Sequence, residues 1–351
     1  ATGMVGQRFI SLLKDHPWFE VNCVAASARS AGKTYREAVG ERWAFSWEIP
    51  EKVAGMTVVD AADIDEVSKH VDFVFCAVDM KKDEIRALEE AYAKHEIPVV
   101  SNNSACRGIE DVPMVVPEIN ADHLAVIEAQ KKRLGTKNGF IAVKPNCSIQ
   151  SYVPALTPLL DFKPEKVSVC TYQAISGAGK TFKTWPEMVD NVIPYIGGED
   201  EKSENEPLKL WGHVEDGKIV NATLPVISAQ CLRVACSDGH MAAVSVSFKK
   251  KPTIEQIKER WANYETEAQR LELPSAPKPF LQYFEDPSRP QTRLDRAFQN
   301  GFGVSIGRLR EDKLFDYRFV CLSHNTVRGA AGGGILTAEL LCRKGYIPHR
   351  V

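Results

Sequence analysis

The first half of the chain alternates apolar segments of strand length with helical segments. Apolar runs occupy residues 21–26, 71–78 and 98–101, and residues 81–94 form a helical pattern with one charged face. Strands that are apolar at every position, rather than at every second one, are typical of a parallel sheet covered by helices on both faces. The alternation therefore predicts an α/β unit built on a parallel sheet.

Length and charge set the outer bounds. The 351 residues suffice for two domains, and 44 Lys plus Arg against 46 Asp plus Glu leave a net charge of −2, which favours neither nucleic acid nor an acidic membrane as a partner. Nine cysteines show no C-x-x-C pair and no metal-ligand spacing, so we expect reduced thiols in the cytoplasm and no metal. We find no signal peptide and no apolar run of about 18 residues that could span a bilayer.

The first six residues suit a dinucleotide-binding turn. Gly3 and Gly6 precede a helical face, where pyrophosphate can approach bare backbone at a helix N-terminus, although an ordinary glycine turn would look the same. We expect a strand to precede this turn, so that the numbering begins inside the motif. After residues 21–26 come Ser27, Arg29 and Ser30 instead of the acidic residue that holds an NAD ribose, which favours NADP.

A cysteine follows the apolar run 140–143, within Lys144-Pro145-Asn146-Cys147-Ser148. Apolar residues at 149, 153, 156 and 160 predict an amphipathic helix, kinked at Pro154. A thiol at a helix N-terminus faces free N–H groups that favour the thiolate, so Cys147 is a candidate nucleophile. The alternative is a small buried hydrophobic residue.

The second half of the chain has a different pattern of apolar and polar residues. Strands are predicted at 167–175, 219–226, 240–248, 302–308 and 314–322, and helices near 206–210, 253–268 and 335–342. Several strands alternate polar and apolar residues, which predicts an α+β domain whose antiparallel or mixed sheet leaves one face open to solvent. The proline-rich stretch 274–290 is interpreted as a surface excursion or subunit contact, and the last helix is expected to return to the first domain.

Several polar residues are candidates for chemistry. Arg107 ends a polar loop just past a strand, where open α/β sheets bind ligands, and could hold an anion. His240 follows Asp238-Gly239 and could deprotonate a thiol or relay a proton, and His324 is a second candidate. The other histidines are predicted to lie at the surface: His16, His70, His95, His123, His213 and His349.

Taken together, five motifs resemble the aspartate-β-semialdehyde dehydrogenase family, most closely its archaeal and fungal branch. They are residues 1–6, residues 145–148, residues 173–179, Arg233-Val234 followed by Asp238-Gly239-His240, and Asn325 with residues 329–332. The resemblance implies a fold like that of glyceraldehyde-3-phosphate dehydrogenase. In such a fold a Rossmann NADP-binding domain comprises residues 1–147 plus 325–351. An α+β catalytic and oligomerisation domain comprises residues 148–324, in a homodimer or homotetramer.

The resemblance also implies roles for individual residues. Cys147 resembles the nucleophile, His240 the acid/base, Gln173 the residue that orients the intermediate, and Arg233 the clamp on the substrate carboxylate. Glu206 resembles the contact to the substrate amine, and Arg107 and Lys209 the contacts to phosphate. The cofactor residues would be Thr2, Gly3, Met4, Val5, Gly6, Ser27, Arg29 and Ser30, with Ser176, Gly177 and Asn325 near the nicotinamide. Two departures are visible, at Lys144, where asparagine is expected, and at residues 234–237.

The activity implied is the NADP-dependent reductive dephosphorylation of L-aspartyl 4-phosphate through a cysteine thioester, in the biosynthesis of lysine, threonine, methionine and isoleucine. The reverse reaction consumes inorganic phosphate. The Cys147 N–H and the Asn146 side chain are plausible oxyanion donors. Two alternatives remain: a short-chain acyl-CoA reductase such as malonyl-CoA reductase, and a nucleotide-binding regulatory protein without chemistry.

Overall fold

The first part of the chain forms two small parallel sheets. A computed structural model describes residues 1–348. Strands β1 (Ala25–Ala26) and β2 (Val59–Asp60) pair in parallel. The second sheet has the order β3-β4-β5 and is also parallel, with strands at Val74–Cys76, Val99–Ser101 and Ile141–Val143.

Both faces of the three-stranded sheet are buried, which explains its continuous apolar strands. Val99 and Ile141 face one hydrophobic cluster, whereas their neighbours Val100 and Ala142 face another. Successive strand residues point to opposite sides, so a strand covered on both sides must be apolar throughout. The predicted α/β class is confirmed, although the strands are shorter than the apolar runs.

The second part is dominated by a mixed seven-stranded sheet. Its strands in chain order are β6 Pro164–Gln173, β7 Val192–Ile193, β10 Val226–Val234, β11 His240–Phe248, β12 Leu281–Phe284, β13 Val304–Glu311 and β14 Tyr317–Ser323. Their order across the sheet is β12-β13-β14-β11-β6-β10-β7. A separate hairpin joins β8 His213–Glu215 and β9 Lys218–Val220. Along β11 every second residue is buried and the others are half-buried, so one face of the sheet is covered and the other is open, as predicted.

The helices pack around these sheets. In chain order they are α1 Met4–Leu13, α2 Tyr35–Val39, α3 Glu51–Ala54, α4 Ile64–Ser68, α5 Lys82–Lys94, α6 Ile127–Leu134, α7 Val153–Leu156, α8 Glu199–Leu210, α9 Ile254–Ala262, α10 Glu267–Arg270, α11 Thr292–Asp295 and α12 Gly332–Arg343. The last helix packs against α1 and β4, so the end of the chain returns to the first sheet as expected. Within residues 1–348 no helix is long and apolar enough to cross a bilayer.

One hydrophobic core runs through both parts of the molecule. It contains Ile141 of β5, Leu156 of α7, and Val244 and Phe319 of the seven-stranded sheet. Residues 149–162, which join the two parts, are a 3₁₀ turn, the short α7 and a second 3₁₀ turn rather than the single kinked helix predicted. The break falls at Tyr152, and Pro154 sits in the first turn of α7, where its missing N–H costs nothing.

Two further predictions from the sequence were wrong. Residues 219–226 do not form one strand, because β9 ends at Val220 and β10 begins after Pro225, which cannot donate to the sheet ladder. The proline-rich stretch contributes Phe280 and Leu281 to the core and forms the edge strand β12, so it is not only a surface excursion.

One of the histidines predicted at the surface is buried, and the side chain of a second is only 5% exposed. The His16 side chain pairs with Glu339 of α12, and His123 is 1% exposed and contacts Asn120 and the Gly212 carbonyl. Polar neighbours in the sequence do not show whether a histidine is buried, because its hydrogen-bond partners can come from distant segments. His349 lies outside the described residues, as do the last three positions of the segment 325–351.

Candidate active site

Strand ends from the seven-stranded sheet meet at one edge and carry three of the site residues. Gln173 ends β6 and is the register partner of Arg233 on the parallel strand β10, while His240 begins the antiparallel strand β11 on the other side of β6. All three side chains are buried. The loop 144–148, which follows β5 of the first sheet, brings Cys147 to the same place.

Cys147 and His240 face each other directly. The Cys147 Sγ lies 3.4 Å from His240 Nε2, although 93 residues separate them. Gly329 packs on the cysteine so closely that a Cβ there would lie 2.8 Å from the Cys147 Cβ. A side chain at Gly177 would lie 2.8 Å from Arg233 Nη1 and 3.0 Å from His240 Nε2. Two glycines therefore keep the space around the thiol and the imidazole open.

Both partners are neutral in the resting site at pH 7. Burial raises the pKa of the Cys147 thiol, and Glu199 adds to this, while Lys144, Arg107 and Arg233 act in the opposite direction. Burial and the charge of Arg233 lower the pKa of His240 to about 3. The prediction that a helix N-terminus favours the thiolate was wrong, because only a three-residue 3₁₀ turn follows Cys147 and its weak dipole does not outweigh burial.

The hydrogen bond on the far side of the imidazole assigns its tautomer. The Ala174 N–H donates to His240 Nδ1 at 3.1 Å, which leaves the proton of the neutral ring on Nε2, facing the sulfur. In this form His240 donates a hydrogen bond toward a thiolate or an oxyanion. To accept a proton at Nε2 without giving one up, the ring must first carry its own proton on Nδ1, which breaks the hydrogen bond from the Ala174 N–H.

A buried carboxylate that the sequence analysis missed organises the residues around Cys147. Glu199, in the first turn of α8, accepts hydrogen bonds from Asn146 Nδ2 at 2.9 and 3.0 Å, from Gln173 Nε2 at 3.1 Å and from Lys202 Nζ at 2.8 Å. Asn146 Oδ1 in turn accepts from the Ser148 N–H and hydroxyl. The amide of Asn146 is thus engaged at both ends, so it orders the loop 146–148 instead of offering a free donor beside the sulfur.

A second carboxylate holds the two loops of the site together. Glu206 of α8 accepts from Arg107 Nη1 at 2.9 Å and from the Asn146 N–H at 2.5 Å. Arg107 Nη2 also donates to the Asn102 carbonyl, and Arg107 Nε is buried without a partner among residues 1–348. The structure therefore brings Glu206 and Arg107 beside Cys147, with part of the hydrogen-bonding capacity of each still unused.

Lys209 does not face the same space. Its Nζ donates to three backbone carbonyls, those of Arg107, Ile109 and Val112, at 2.7, 2.7 and 3.0 Å. An ammonium has three donors, so none remains for a ligand. This differs from the predicted phosphate contact, because the proximity of the loop 107–112 was not visible in the sequence.

Arg233 and Asn325 complete the edge of the site. Arg233 is 6% exposed and makes one hydrogen bond among the described residues, from Nη1 to the Ala174 carbonyl at 2.7 Å. The Asn325 amide bridges the Gly239 N–H and the Ser176 hydroxyl, both at 2.8 Å. Asn325, Ser176 and Gly177 therefore form a connected wall next to His240.

The turn before α1 has the form expected of an anion site. Gly3 is the N-cap of α1 and has open space where a Cβ would lie, whereas a Cβ at Gly6 would clash with the Ala1 carbonyl. Met4 and Val5 form the first turn of the helix, whose N–H groups lack helical partners, and the Thr2 carbonyl accepts a hydrogen bond from Gln7. The backbone here is accessible because residue 3 has no side chain.

The residues after β1 lie in an exposed turn. The Ser30 N–H donates to the Ser27 carbonyl at 2.8 Å, and Ser27 and Arg29 are exposed. Arg29 has neither a hydrogen bond nor an ion pair among residues 1–348. Its guanidinium is thus free to bind an anion at the carboxyl end of the strand.

Comparisons with known proteins agree with this geometry. A family model described as "Semialdehyde dehydrogenase, NAD binding domain" matches residues 1–127, and one described as "Semialdehyde dehydrogenase, dimerisation domain" matches residues 156–328. The fold and the site thus define a semialdehyde dehydrogenase.

Named relatives specify the family further. Aspartate-semialdehyde dehydrogenases from Schizosaccharomyces pombe and Archaeoglobus fulgidus are 45% and 43% identical to this chain, each covering 99% of it and 97% of the relative. A crystal structure of the Candida albicans enzyme with NADP is 38% identical, with a TM-score of 0.88 over 99% of this chain and 97% of that one. The chain therefore belongs to the aspartate-semialdehyde dehydrogenase family.

Proposed function

We propose that this protein interconverts L-aspartyl 4-phosphate and L-aspartate 4-semialdehyde, with NADP as cofactor and a thioester on Cys147 as intermediate. The observation that carries the proposal is the 3.4 Å approach of the Cys147 sulfur to His240 Nε2 among Arg107, Arg233 and Glu206. The chain's similarity to named aspartate-semialdehyde dehydrogenases supports it. A short-chain acyl-CoA reductase is not favoured, because the relatives named above carry the semialdehyde name.

Cys147 supplies the nucleophile and His240 its acid/base partner. The sulfur adds to the aldehyde carbon while the thiol proton passes through the imidazole to the aldehyde oxygen. The imidazole then hydrogen-bonds the hydroxyl of the resulting hemithioacetal. Oxidation leaves a thioester, whose carbonyl carbon is attacked by phosphate. Gln173, fixed through Glu199, orients this acyl group.

The residues of the first part of the chain fit a dinucleotide. The open backbone at Gly3 and the free N–H groups of α1 suit a pyrophosphate, and the unpaired Arg29 guanidinium with Ser27 and Ser30 suits a 2′-phosphate. NADP when bound supplies the hydride acceptor and donor for the reaction. The side of the site where NADP would meet the reacting carbon would be lined by Ser176, Gly177 and Asn325.

Three charged residues match the three charged groups of aspartyl phosphate, which are its carboxylate, its ammonium and its phosphate. Arg233 has unused donors for the carboxylate, and Glu206 has used two of about four acceptor positions, so it can still take an ammonium. Arg107 offers a buried donor for phosphate. Lys209 acts indirectly, since it holds the loop that carries Arg107.

The direct test is NADPH formation from L-aspartate semialdehyde, with and without inorganic phosphate. Turnover should require phosphate, and Glu206→Ala should raise the KM for the semialdehyde. Arg107→Ala and Lys209→Ala should raise chiefly the KM for phosphate. Faster reduction of malonyl-CoA, or NADPH formation that continues unchanged without phosphate over many turnovers, would refute the proposal.

We also propose a division into a cofactor domain of residues 1–147 plus 325–351 and a catalytic domain of residues 148–324.

The name of the family model that matches residues 156–328 supports an oligomer, and a homodimer or homotetramer formed through the open side of the seven-stranded sheet fits the structure. Large apolar side chains lie exposed on β10, on β7 and in the segment after it, among them Val226, Val192 and Tyr195, which are 63%, 55% and 71% exposed. Tyr195→Glu should therefore shift the mass measured by light scattering to that of the monomer. A cytoplasmic location fits the nine unpaired cysteines.

A further inference from the structure

Lys144 is buried beside the nucleophile with most of its hydrogen-bonding capacity unused. It lies three residues before Cys147 and is 3% exposed. Its Nζ donates to the Pro145 carbonyl at 2.5 Å, and within residues 1–348 it has no other hydrogen-bond acceptor and no ion pair. Two of its three N–H donors therefore lack a partner.

A second cationic donor is unpartnered in the same space. Arg107 Nε is buried and has no acceptor in the described part of the chain, although the other end of the guanidinium is bound to Glu206 and to the Asn102 carbonyl. The charges of Arg107 and Lys144 repel each other, and both also act on the Cys147 thiol. Unpaired buried cationic donors are unfavourable in the free protein, and their presence beside a nucleophile points to an anion that supplies the acceptors.

Lys209, the other lysine near Arg107, cannot share an anion with it. Lys209 has committed all three donors to the carbonyls of the loop 107–112. Arg233 instead donates to the Ala174 carbonyl and lies close to His240. Lys144 is therefore the cation best placed to share an anion with Arg107.

We propose that Lys144 and Arg107 together bind the inorganic phosphate, or the phosphate group of the acyl phosphate, next to Cys147. This inference rests on the proposed function and names the residue that completes its phosphate site. A phosphate oxygen attacks the thioester carbon, the carbon–sulfur bond breaks, and the acyl phosphate forms. The proton of the attacking phosphate ends on the departing sulfur, so atoms and charge balance without an oxidant or reductant. Lysine at position 144 gives this chain a second cation in the site.

The test compares Lys144→Met with a control, Lys258→Met, which removes a lysine of α9 that is paired with Glu285. Lys144→Met should raise the KM for phosphate by about 10- to 100-fold, the range for loss of one charge-assisted hydrogen bond. The KM for L-aspartate semialdehyde should stay within about twofold of the wild-type value. Lys258→Met should change neither.

A readout independent of turnover is the protection of Cys147 from iodoacetamide by inorganic phosphate. Phosphate should slow alkylation in the wild type and in Lys258→Met, and protect Lys144→Met only at correspondingly higher concentration. Lys144→Gln, which keeps a donor for the Pro145 carbonyl without the charge, serves if the methionine variant fails to fold.

Three results would overturn the inference. The first is an unchanged KM for phosphate in Lys144→Met, and the second is a rise confined to the KM for the semialdehyde. The third is a lower kcat with both KM values intact and an altered pH dependence of alkylation, because that would assign Lys144 to the charge of the thiol alone. Failure of the proposed function itself is recognised separately, as wild-type turnover that does not depend on phosphate.

Discussion

Replacing Lys144 with methionine should stabilise the folded protein at neutral and acidic pH. Burial, reinforced by Arg107, lowers the pKa of Lys144 from 10.5 to about 7. This lowering corresponds to about 5 kcal/mol of unfavourable free energy for the charged form in the folded state. Methionine removes that cost but leaves the Pro145 carbonyl unpaired, which costs about 1–3 kcal/mol. The net gain should therefore be about 2–4 kcal/mol.

The pH dependence distinguishes this cause from better packing. Below about pH 7 the folded and the unfolded protein both carry the proton on Lys144, so the cost is fully present in the wild type. Between pH 7 and 10.5 the folded protein loses the proton first, and the cost decreases as the pH rises. The advantage of Lys144→Met should thus be largest at or below neutral pH and shrink toward pH 10. The other charged groups near this ammonium, Arg107, Glu206 and Glu199 together with the Cys147 thiol, are the same in both proteins.

The assay is thermal unfolding of the wild type and the variant at matched protein concentration, at pH 6.5 and pH 9.5. Lys209→Met is the matched control, since it removes a buried lysine whose three donors are all satisfied. That variant should lower the midpoint, because the buried carbonyls of Arg107 and Val112 lose the only donor that residues 1–348 offer them, while the Ile109 carbonyl keeps the Val112 N–H. A lower midpoint for Lys144→Met at pH 6.5, or a gain that does not change with pH, would refute the reasoning. If Lys144→Met is more stable than the wild type but binds phosphate more weakly, the buried lysine reduces the stability of the wild type in return for phosphate binding.

The remaining predictions concern catalysis. Cys147→Ser should fold but lose nearly all turnover, because serine lacks a thiolate; comparable activity, or an acyl group trapped on another cysteine, would contradict this. His240→Asn should reduce kcat by a factor of about 10² to 10⁴, and a loss of less than about tenfold would remove its acid/base role. Arg29→Ala should raise the KM for NADP and leave that for NAD nearly unchanged, whereas equal efficiency of the wild type with both cofactors would count against it. Glu199→Gln should lower kcat more than it raises either KM, because the two amides that share this carboxylate lose their orientation; unchanged kinetics would show that they are held by other contacts.

The sequence was most informative where one physical pattern decides the structure. Strand β11 begins and ends where alternation predicted it, and the continuous apolar runs of the first sheet reflect burial on two faces. The pairing of Cys147 with His240 across 93 residues came from a resemblance between motifs, and the structure places their reactive atoms 3.4 Å apart.

The features that could not be predicted from the sequence depend on contacts between distant segments. Glu199 lies in an acidic run that looks like a solvated helix start, yet it is 7% exposed and binds two amides from other elements. Lys209 stood out as a cation beside Glu206, but only the folded loop 107–112 shows that its donors are taken. Lys144 was visible as a departure from a family pattern, and its lack of partners became visible only with the structure.

The continuous core has a consequence for how this protein can be divided. Ile141 of the first sheet, Leu156 of the joining segment and Phe319 of the second sheet belong to one hydrophobic cluster, and the last helix covers the first sheet from the far end of the sequence. Cutting the chain near residue 147 would expose this shared interior on both fragments. The cofactor half and the catalytic half should therefore not be exchangeable between relatives as separate modules, and chimeras should succeed only when residues 149–162 and the C-terminal helix are taken from the parent that supplies the surfaces they contact.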